Sequence, residues 1–107
     1  MSSLSVEHAR SVRNISYEQW RALLKDERLP AAVVDLDAFD RNIARLAAPL
    51  EGTGKRLRIA TKSLRVPALI ERVLAHGAPF VGLMCYSAEE TLLWAERGQG
   101  DLLLAYP

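Results

Sequence analysis

The chain has 107 residues, and its composition, 50% hydrophobic and 25% charged, is ordinary for one soluble globular domain or a part of one. Its 14 lysines and arginines nearly balance its 13 aspartates and glutamates, and neither sign forms a long block. This balance excludes the strongly charged surfaces of nucleic-acid-binding and membrane-surface proteins, so we expect neither a nucleic acid nor a membrane as a partner.

The cysteine content and the first residues bear on the cellular compartment. Cys85 is the only cysteine, so the chain cannot form an intrachain disulfide or a cysteine-based zinc site. The first residues lack a basic region followed by an apolar core, and no apolar run approaches the roughly 18 residues of a membrane span. We therefore expect a soluble protein that stays in the reducing cytoplasm.

Residues 1–28 are predicted to form an N-terminal extension that contains one helix. Ser16 begins this helix, because Gln19 follows three residues later and the two side chains can satisfy each other's backbone N–H groups in a capping box. We expect the helix to continue to about Asp26. Pro30 prevents any continuation, since proline lacks a backbone donor and disfavours helix in the residue before it.

A strand followed by a helix is predicted next. Residues 31–36 form a short β-type run with two valines, and Asp37 stands where it can cap the helix that follows. Apolar residues recur along one side of this helix, at Phe39, Ile43, Leu46, Ala47 and Leu50. The glycines within residues 52–54 then end it.

The segment Arg58–Thr61 is predicted to be a strand that ends at Lys62. Its isoleucine and threonine favour β structure, and Pro67 suits the first position of the next helix. Gly77 ends that helix as a left-handed cap.

Two more strands and one helix complete the pattern. Residues 80–85 form an almost continuous apolar run, as expected for a strand buried on both faces, and residues 102–105 form another. Ser87 and Glu90 have the spacing of a capping box and start the intervening helix. Strand, helix, strand, helix and strand make a βαβαβ unit, which forms a parallel sheet.

The carboxyl edge of this sheet is the predicted site. Lys62, the turn at residues 85–87 and Tyr106 each follow a strand, so a parallel arrangement places them at one edge. The active sites of parallel α/β proteins lie at that edge, where loops and helix N-termini converge.

Two folds fit this pattern. One is a small α/β module of three strands without a cofactor. The other is the N-terminal part of a (β/α)8 barrel, a TIM-type fold of about 250 residues. Three buried parallel strands with few helices leave sheet faces and edges uncovered, which favours the barrel. We therefore predict an N-terminal extension over residues 1–28 and the truncated N-terminal part of a barrel over residues 29–107.

Four segments of residues 29–107 occur together in the order and at the spacing of one known family. They are Leu29–Ile43, Arg58–Pro67, Gly82–Glu90 and Asp101–Pro107. On these segments the chain resembles the alanine-racemase-type (fold type III) pyridoxal-phosphate enzymes, and within them the D-threonine aldolase and D-serine dehydratase branch. The most specific feature is the sequence VVDLDAFDRNI followed by a lysine that ends the next strand.

The resemblance implies a cofactor and gives candidate roles to four residues. Lys62 matches the lysine that holds pyridoxal 5'-phosphate as a Schiff base at the end of the first barrel strand. Arg65 is a candidate for binding the cofactor phosphate or a substrate carboxylate, since a guanidinium can donate two parallel hydrogen bonds. Tyr86 and Tyr106 end adjacent strands and are candidates for stacking on or bordering the cofactor ring. No residue of the chain is predicted to bind a metal.

The sequence departs from this branch around the lysine. The family pattern reads His-x-Lys-Thr-His-Lys-x-Pro, and only Lys62 and Pro67 match it without change. The other four positions are occupied by Ala60, Ser63, Leu64 and Arg65. The loss of both histidines removes candidate proton carriers, which leaves the reaction open.

The expected function is that of a pyridoxal-phosphate-dependent lyase that cleaves or deaminates small hydroxy D-amino acids. Two alternatives stay open: an amino-acid racemase, and a non-catalytic pyridoxal-phosphate-binding protein that carries or buffers the cofactor. The resemblance implies that the full-length protein is a homodimer. It also implies that the phosphate-binding loops, and any divalent metal, belong to residues outside this chain, so the fragment alone is expected to be inactive.

Overall fold

The structure is a computed structural model that describes residues 15–106. The chain divides into two compact units, Met1–Arg41 and Asn42–Pro107. The predicted extension over residues 1–28 therefore lies partly outside the described residues. In the part that is described, no helix is long and apolar enough to cross a membrane.

The first unit contains the helix predicted to begin at Ser16. Helix α1 spans Tyr17–Leu23, and both halves of the capping box are present. The N–H of Gln19 donates to Ser16 Oγ at 3.2 Å, and the N–H of Ser16 donates to Gln19 Oε1 at 2.8 Å. The start is confirmed, but the helix does not reach Asp26. The N–H of Lys25 bonds to the carbonyl three residues back instead of four, so the α-helical ladder has already stopped there.

The strand predicted over residues 31–36 is not formed. Residues 31–35 belong to no helix or strand, and Leu36 is already part of the next helix. Val33 and Val34 are 47% and 45% exposed and are not buried against a sheet. The prediction was wrong because valines favour β structure only where a neighbouring strand completes the ladder and buries them.

Helix α2 spans Leu36–Ala47 and is capped by Asp35, so the prediction that Asp37 is the cap was wrong. Asp35 Oδ1 accepts a hydrogen bond from the N–H of Ala38 at 3.1 Å, as an N-cap side chain does. Asp37 lies in the first turn, where its negative charge interacts favourably with the helix dipole. A short 3-10 turn, Ala48–Leu50, follows the helix.

Asp35→Ala tests the assignment of this cap. Removing the carboxylate leaves the N–H of Ala38 without its acceptor, so we expect the free energy of unfolding to fall by about 1–2 kcal/mol. Asp37→Ala is the matched control, and we expect it to lose only a dipole interaction of about 0.3–1 kcal/mol. Urea unfolding followed by circular dichroism measures both values. A larger loss for Asp37→Ala than for Asp35→Ala would contradict the assignment.

The second unit is a three-stranded parallel sheet with helices between its strands. From residue 57 onward the elements are β1 (Leu57–Ala60), a 3-10 turn (Thr61–Ser63), α3 (Pro67–Ala75), β2 (Phe80–Cys85), α4 (Ala88–Glu96) and β3 (Leu102–Leu104). The strand order is β1-β2-β3, so β2 is central. The predicted α/β class with parallel strands is confirmed, whereas a partial barrel is not.

Local sequence signals set the ends of α3 and α4. Pro67 is the first residue of α3 as predicted, and Gly77 follows this helix with a φ of 83°. Ser87 Oγ accepts a hydrogen bond from the N–H of Glu90 at 3.1 Å and caps α4. The Glu90 carboxylate accepts from the N–H of Tyr86 at 3.1 Å, so this half of the predicted capping box is displaced by one residue.

The core lies around the central strand. Leu83 and Cys85 of β2 are almost completely buried and pack in one cluster with Ile70 of α3 and Trp94 of α4. No residue of β2 is exposed, which confirms the prediction that residues 80–85 form a strand buried on both faces.

A close contact at Gly82 joins the three strands near the amino end of β3. Arg58 Nη1 lies 2.7 Å from Asp101 Oδ1 and donates to the carbonyls of Asp101 and Leu83, both at 3.2 Å. Gly82 has a φ of 80°, and a Cβ atom there would lie 2.6 Å from the backbone oxygen of Asp101 and 2.7 Å from Arg58 Nη1. Only glycine fits this space in this conformation.

Candidate functional site

The carboxyl edge of the sheet brings together the residues that the sequence predicts for the site. Lys62 lies in the 3-10 turn directly after β1, Tyr86 directly follows β2, and Tyr106 lies two residues beyond β3. Arg65 lies between the 3-10 turn and α3. We call these four residues the carboxyl-edge cluster. Their grouping follows from the parallel strands, which all end at the same edge.

Lys62 and Tyr106 form a direct pair across the sheet. Lys62 Nζ donates a hydrogen bond to the Tyr106 hydroxyl at 3.0 Å, and the same Nζ lies 5.5 Å from the centroid of the tyrosine ring. These distances describe one contact, because they place Nζ beyond the hydroxyl, at the edge of the ring and not over its face. The pair joins the ends of the two outer strands.

Arg65 and Tyr86 form a second pair, in which the guanidinium lies over the tyrosine ring. The guanidinium carbon of Arg65 lies 5.0 Å from the centroid of the Tyr86 ring, and Arg65 Nε donates to the carbonyl of Lys62 at 3.2 Å. These contacts hold the guanidinium beside the lysine turn. Because Nε is already engaged, an anion would be bound through the terminal Nη nitrogens of Arg65.

Two further residues support the cluster, and sequence reasoning missed both. Thr61 is 1% exposed, its Oγ1 donates to the carbonyl of Met84 at 3.3 Å, and it anchors the turn that carries Lys62. Glu90 accepts from the N–H of Tyr86 and, through Oε1, from Trp94 Nε1 at 2.9 Å. The helix-start spacing identified Glu90 only as a capping residue, and no local signal distinguishes Thr61 from other strand threonines.

Cys85 lies at the end of β2 but belongs to the core. Its side chain is almost fully buried, and this burial raises the pKa of the thiol above its ordinary value. A hydrogen bond with Thr91 lowers the pKa, and the negative charge of Glu90 raises it. The thiolate is the nucleophilic form of cysteine, so burial keeps Cys85 in its less reactive form at neutral pH.

A metal site in this part of the molecule would need a group of metal-binding side chains. Within residues 15–106, no group of three or more histidine, cysteine, aspartate or glutamate side chains could hold a metal ion. The charged side chains of the carboxyl-edge cluster are cations, which suit an anionic ligand.

Comparisons of the chain with protein-family models, with curated proteins and with solved structures find no match. The likeness to fold type III pyridoxal-phosphate enzymes therefore rests on the sequence motifs alone. The chemistry of the carboxyl-edge cluster is the structural feature that bears on function.

Proposed function

We propose that the chain binds pyridoxal 5'-phosphate covalently through Lys62 and forms part of a lyase acting on small hydroxy D-amino acids. The observation that carries this proposal is the position of Lys62 at the carboxyl edge: its Nζ lies 3.0 Å from the Tyr106 hydroxyl, and its backbone carbonyl accepts a hydrogen bond from an arginine that lies over Tyr86. A sheet edge that carries an exposed primary amine, two tyrosine rings and a guanidinium is suited to an aromatic aldehyde that also carries an anion.

Each part of the cofactor has a chemical partner in the cluster. The amine of Lys62 would hold the aldehyde group of the cofactor through a C=N bond, with release of one water. The tyrosine rings offer flat apolar surfaces that a pyridine ring can contact. The guanidinium of Arg65 offers charge-assisted hydrogen bonds to a phosphate or a carboxylate. The residues present therefore fit the group.

The chain's own side chains would bind and orient the ligand. Pyridoxal phosphate, when bound, supplies the electron sink for cleavage of a bond next to the amino-acid nitrogen. Lys62 would hold the cofactor at the sheet edge. Arg65 attracts negative charge to the same place, which lowers the free energy of a bound phosphate or substrate carboxylate.

We also propose that the sheet is the first part of a (β/α)8 barrel. Strand β3 supports this, because Leu103 and Leu104 are 48% and 41% exposed although they belong to an apolar strand. A following barrel strand and helix would cover such leucines. In this arrangement the full-length protein is a cytoplasmic homodimer that binds a small amino-acid substrate.

A non-catalytic cofactor carrier is the second candidate function. It is favoured by Ala60 and Leu64, which flank the lysine where the lyase branch has histidines. Reversible capture of an aldehyde needs the amine of Lys62 but not those histidines. A full-length protein that binds pyridoxal phosphate at Lys62 and converts neither D-threonine nor D-serine would be such a carrier, and a racemase would invert an amino acid without cleaving it.

The test is to locate the bound cofactor. The chain is incubated with pyridoxal phosphate, the absorbance of the lysine-bound form is recorded, and the bond is fixed by reduction with borohydride. Peptide mapping by mass spectrometry then identifies the labelled lysine. We expect the label on Lys62, with little on Lys25 or Lys55, which lie away from the cluster in the chain. Equal labelling of the three lysines would contradict the proposal.

A further inference from the structure

We infer that Tyr106 is a positioning residue for Lys62, holding the amine where a bound aldehyde can meet it. This inference rests on the proposed function. It assigns to Tyr106 a role different from that of a ring surface for the cofactor. The basis is the hydrogen bond that Lys62 Nζ donates to the Tyr106 hydroxyl at 3.0 Å.

Lys62 needs such a partner because its own surroundings do not fix its amine. The residue is exposed and lies in a short 3-10 turn. A lysine amine is carried on four rotatable bonds, and ordering so flexible a side chain costs free energy when a ligand binds. Buried Thr61 fixes the backbone of the turn through its bond to Met84, so the backbone is anchored while the tip of Lys62 is held by Tyr106.

Tyr106 is placed to hold the amine because its own backbone is tied to the sheet. The N–H of Ala105 donates to the carbonyl of Cys85 at 3.2 Å, which extends the pairing of β3 with β2 up to the residue before Tyr106. The Lys62–Tyr106 bond therefore spans the end of the central strand from one outer strand to the other. A side chain held at both ends loses less freedom when it reacts.

Tyr106→Phe removes the hydroxyl and keeps the ring, so it tests the role of the hydroxyl alone. The rate of pyridoxal phosphate capture is measured at increasing cofactor concentration, which gives the dissociation constant of the first, non-covalent complex and the rate constant for bond formation. We expect the rate constant to fall by roughly 2- to 10-fold, the range expected when one flexible side chain is no longer held, with the dissociation constant unchanged. A changed dissociation constant with an unchanged rate constant would overturn the inference, because it would make Tyr106 a ligand contact only.

A second measurement reports the contact without the cofactor. A small amine-acylating reagent labels Lys62 and Lys55, and mass spectrometry gives the ratio of their labelling rates. The site does not orient this small reagent, which reacts faster with a free amine than with a hydrogen-bonded one, so we expect Tyr106→Phe to raise the Lys62 to Lys55 ratio. Tyr17→Phe, which removes a hydroxyl from an exposed tyrosine of α1, is the matched control and should leave the ratio unchanged.

The two measurements separate failure of the inference from failure of the proposed function. If the unaltered chain does not capture pyridoxal phosphate, the proposed function fails and the positioning role fails with it, while the labelling ratio still reports the contact. If the chain captures the cofactor at Lys62 but neither the rate constant nor the labelling ratio changes in Tyr106→Phe, the proposed function stands and the inference is overturned.

Discussion

Lys62→Ala abolishes covalent binding of pyridoxal phosphate: the absorbance of the lysine-bound form and the borohydride-stable label both fall to background. The reason is that alanine has no amine to form the C=N bond. Lys62 is exposed, so its replacement should leave the free energy of unfolding within about 0.5 kcal/mol of the original value. Absorbance spectroscopy, peptide mapping and urea unfolding on the same preparation check the three expectations.

Two further variants test whether the amine of Lys62, and not its charge or another lysine, binds the cofactor. Lys62→Arg keeps a cation that can donate to the Tyr106 hydroxyl, but a guanidinium, which stays protonated, does not capture the aldehyde, so we expect the same complete loss. Lys55→Ala removes a lysine from the loop before β1 and should capture the cofactor normally. Retention of the absorbance and the label in Lys62→Arg would show that charge, and not the amine of Lys62, accounts for cofactor binding.

Gly82→Ala lowers the free energy of unfolding by about 2–5 kcal/mol, as two separate costs act at one position. A non-glycine residue with φ near 80° costs about 1–2 kcal/mol, and forcing a methyl group into filled space costs about 1–3 kcal/mol. The added Cβ would lie 2.6 Å from the Asp101 carbonyl oxygen, which is backbone and cannot rotate away. Thermal and urea unfolding measure the loss.

Gly98→Ala is the control that separates these two costs. Gly98 also has a positive φ, 89°, but a Cβ atom there would have no neighbour within 4 Å. We expect Gly98→Ala to lose only the conformational cost of about 1–2 kcal/mol. If Gly82→Ala is no less stable than Gly98→Ala, the close approach of Asp101 to Gly82 is wrong.

The sequence was most informative where a local rule acts by itself. The capping box of Ser16, the proline that begins α3 and the glycine that follows it each depend on residues a few positions apart, and the structure has all three. The meeting of Lys62 and Tyr106 was also predictable, because parallel strands bring their carboxyl ends to one edge. Local signals and topology together therefore located the candidate site.

The errors and omissions arise where a residue depends on distant partners. The valines of residues 31–36 favour a strand but have no ladder to join. The cap of α2 is a local exception, because Asp35 and Asp37 are both suitable cap residues and only the start of the helix at Leu36 decides between them. The positive φ of Gly82 occurs where the pairing of β2 with β1 shifts register, and the space beside it is filled by Arg58 and Asp101, which are far from it in the chain. Thr61 likewise gains its importance from the carbonyl of Met84. Such contacts leave no periodic pattern in the sequence.

The hydrogen bond from Lys62 to Tyr106 joins residues 44 positions apart, and it forms only when all three strands are paired. The candidate site is therefore complete only when the sheet is complete. A chain in which β3 has detached keeps the lysine but loses the hydroxyl that holds it. Ligand capture and sheet completion are then thermodynamically linked, so a ligand that prefers the assembled edge stabilises the fold by the same free energy with which the fold improves its affinity.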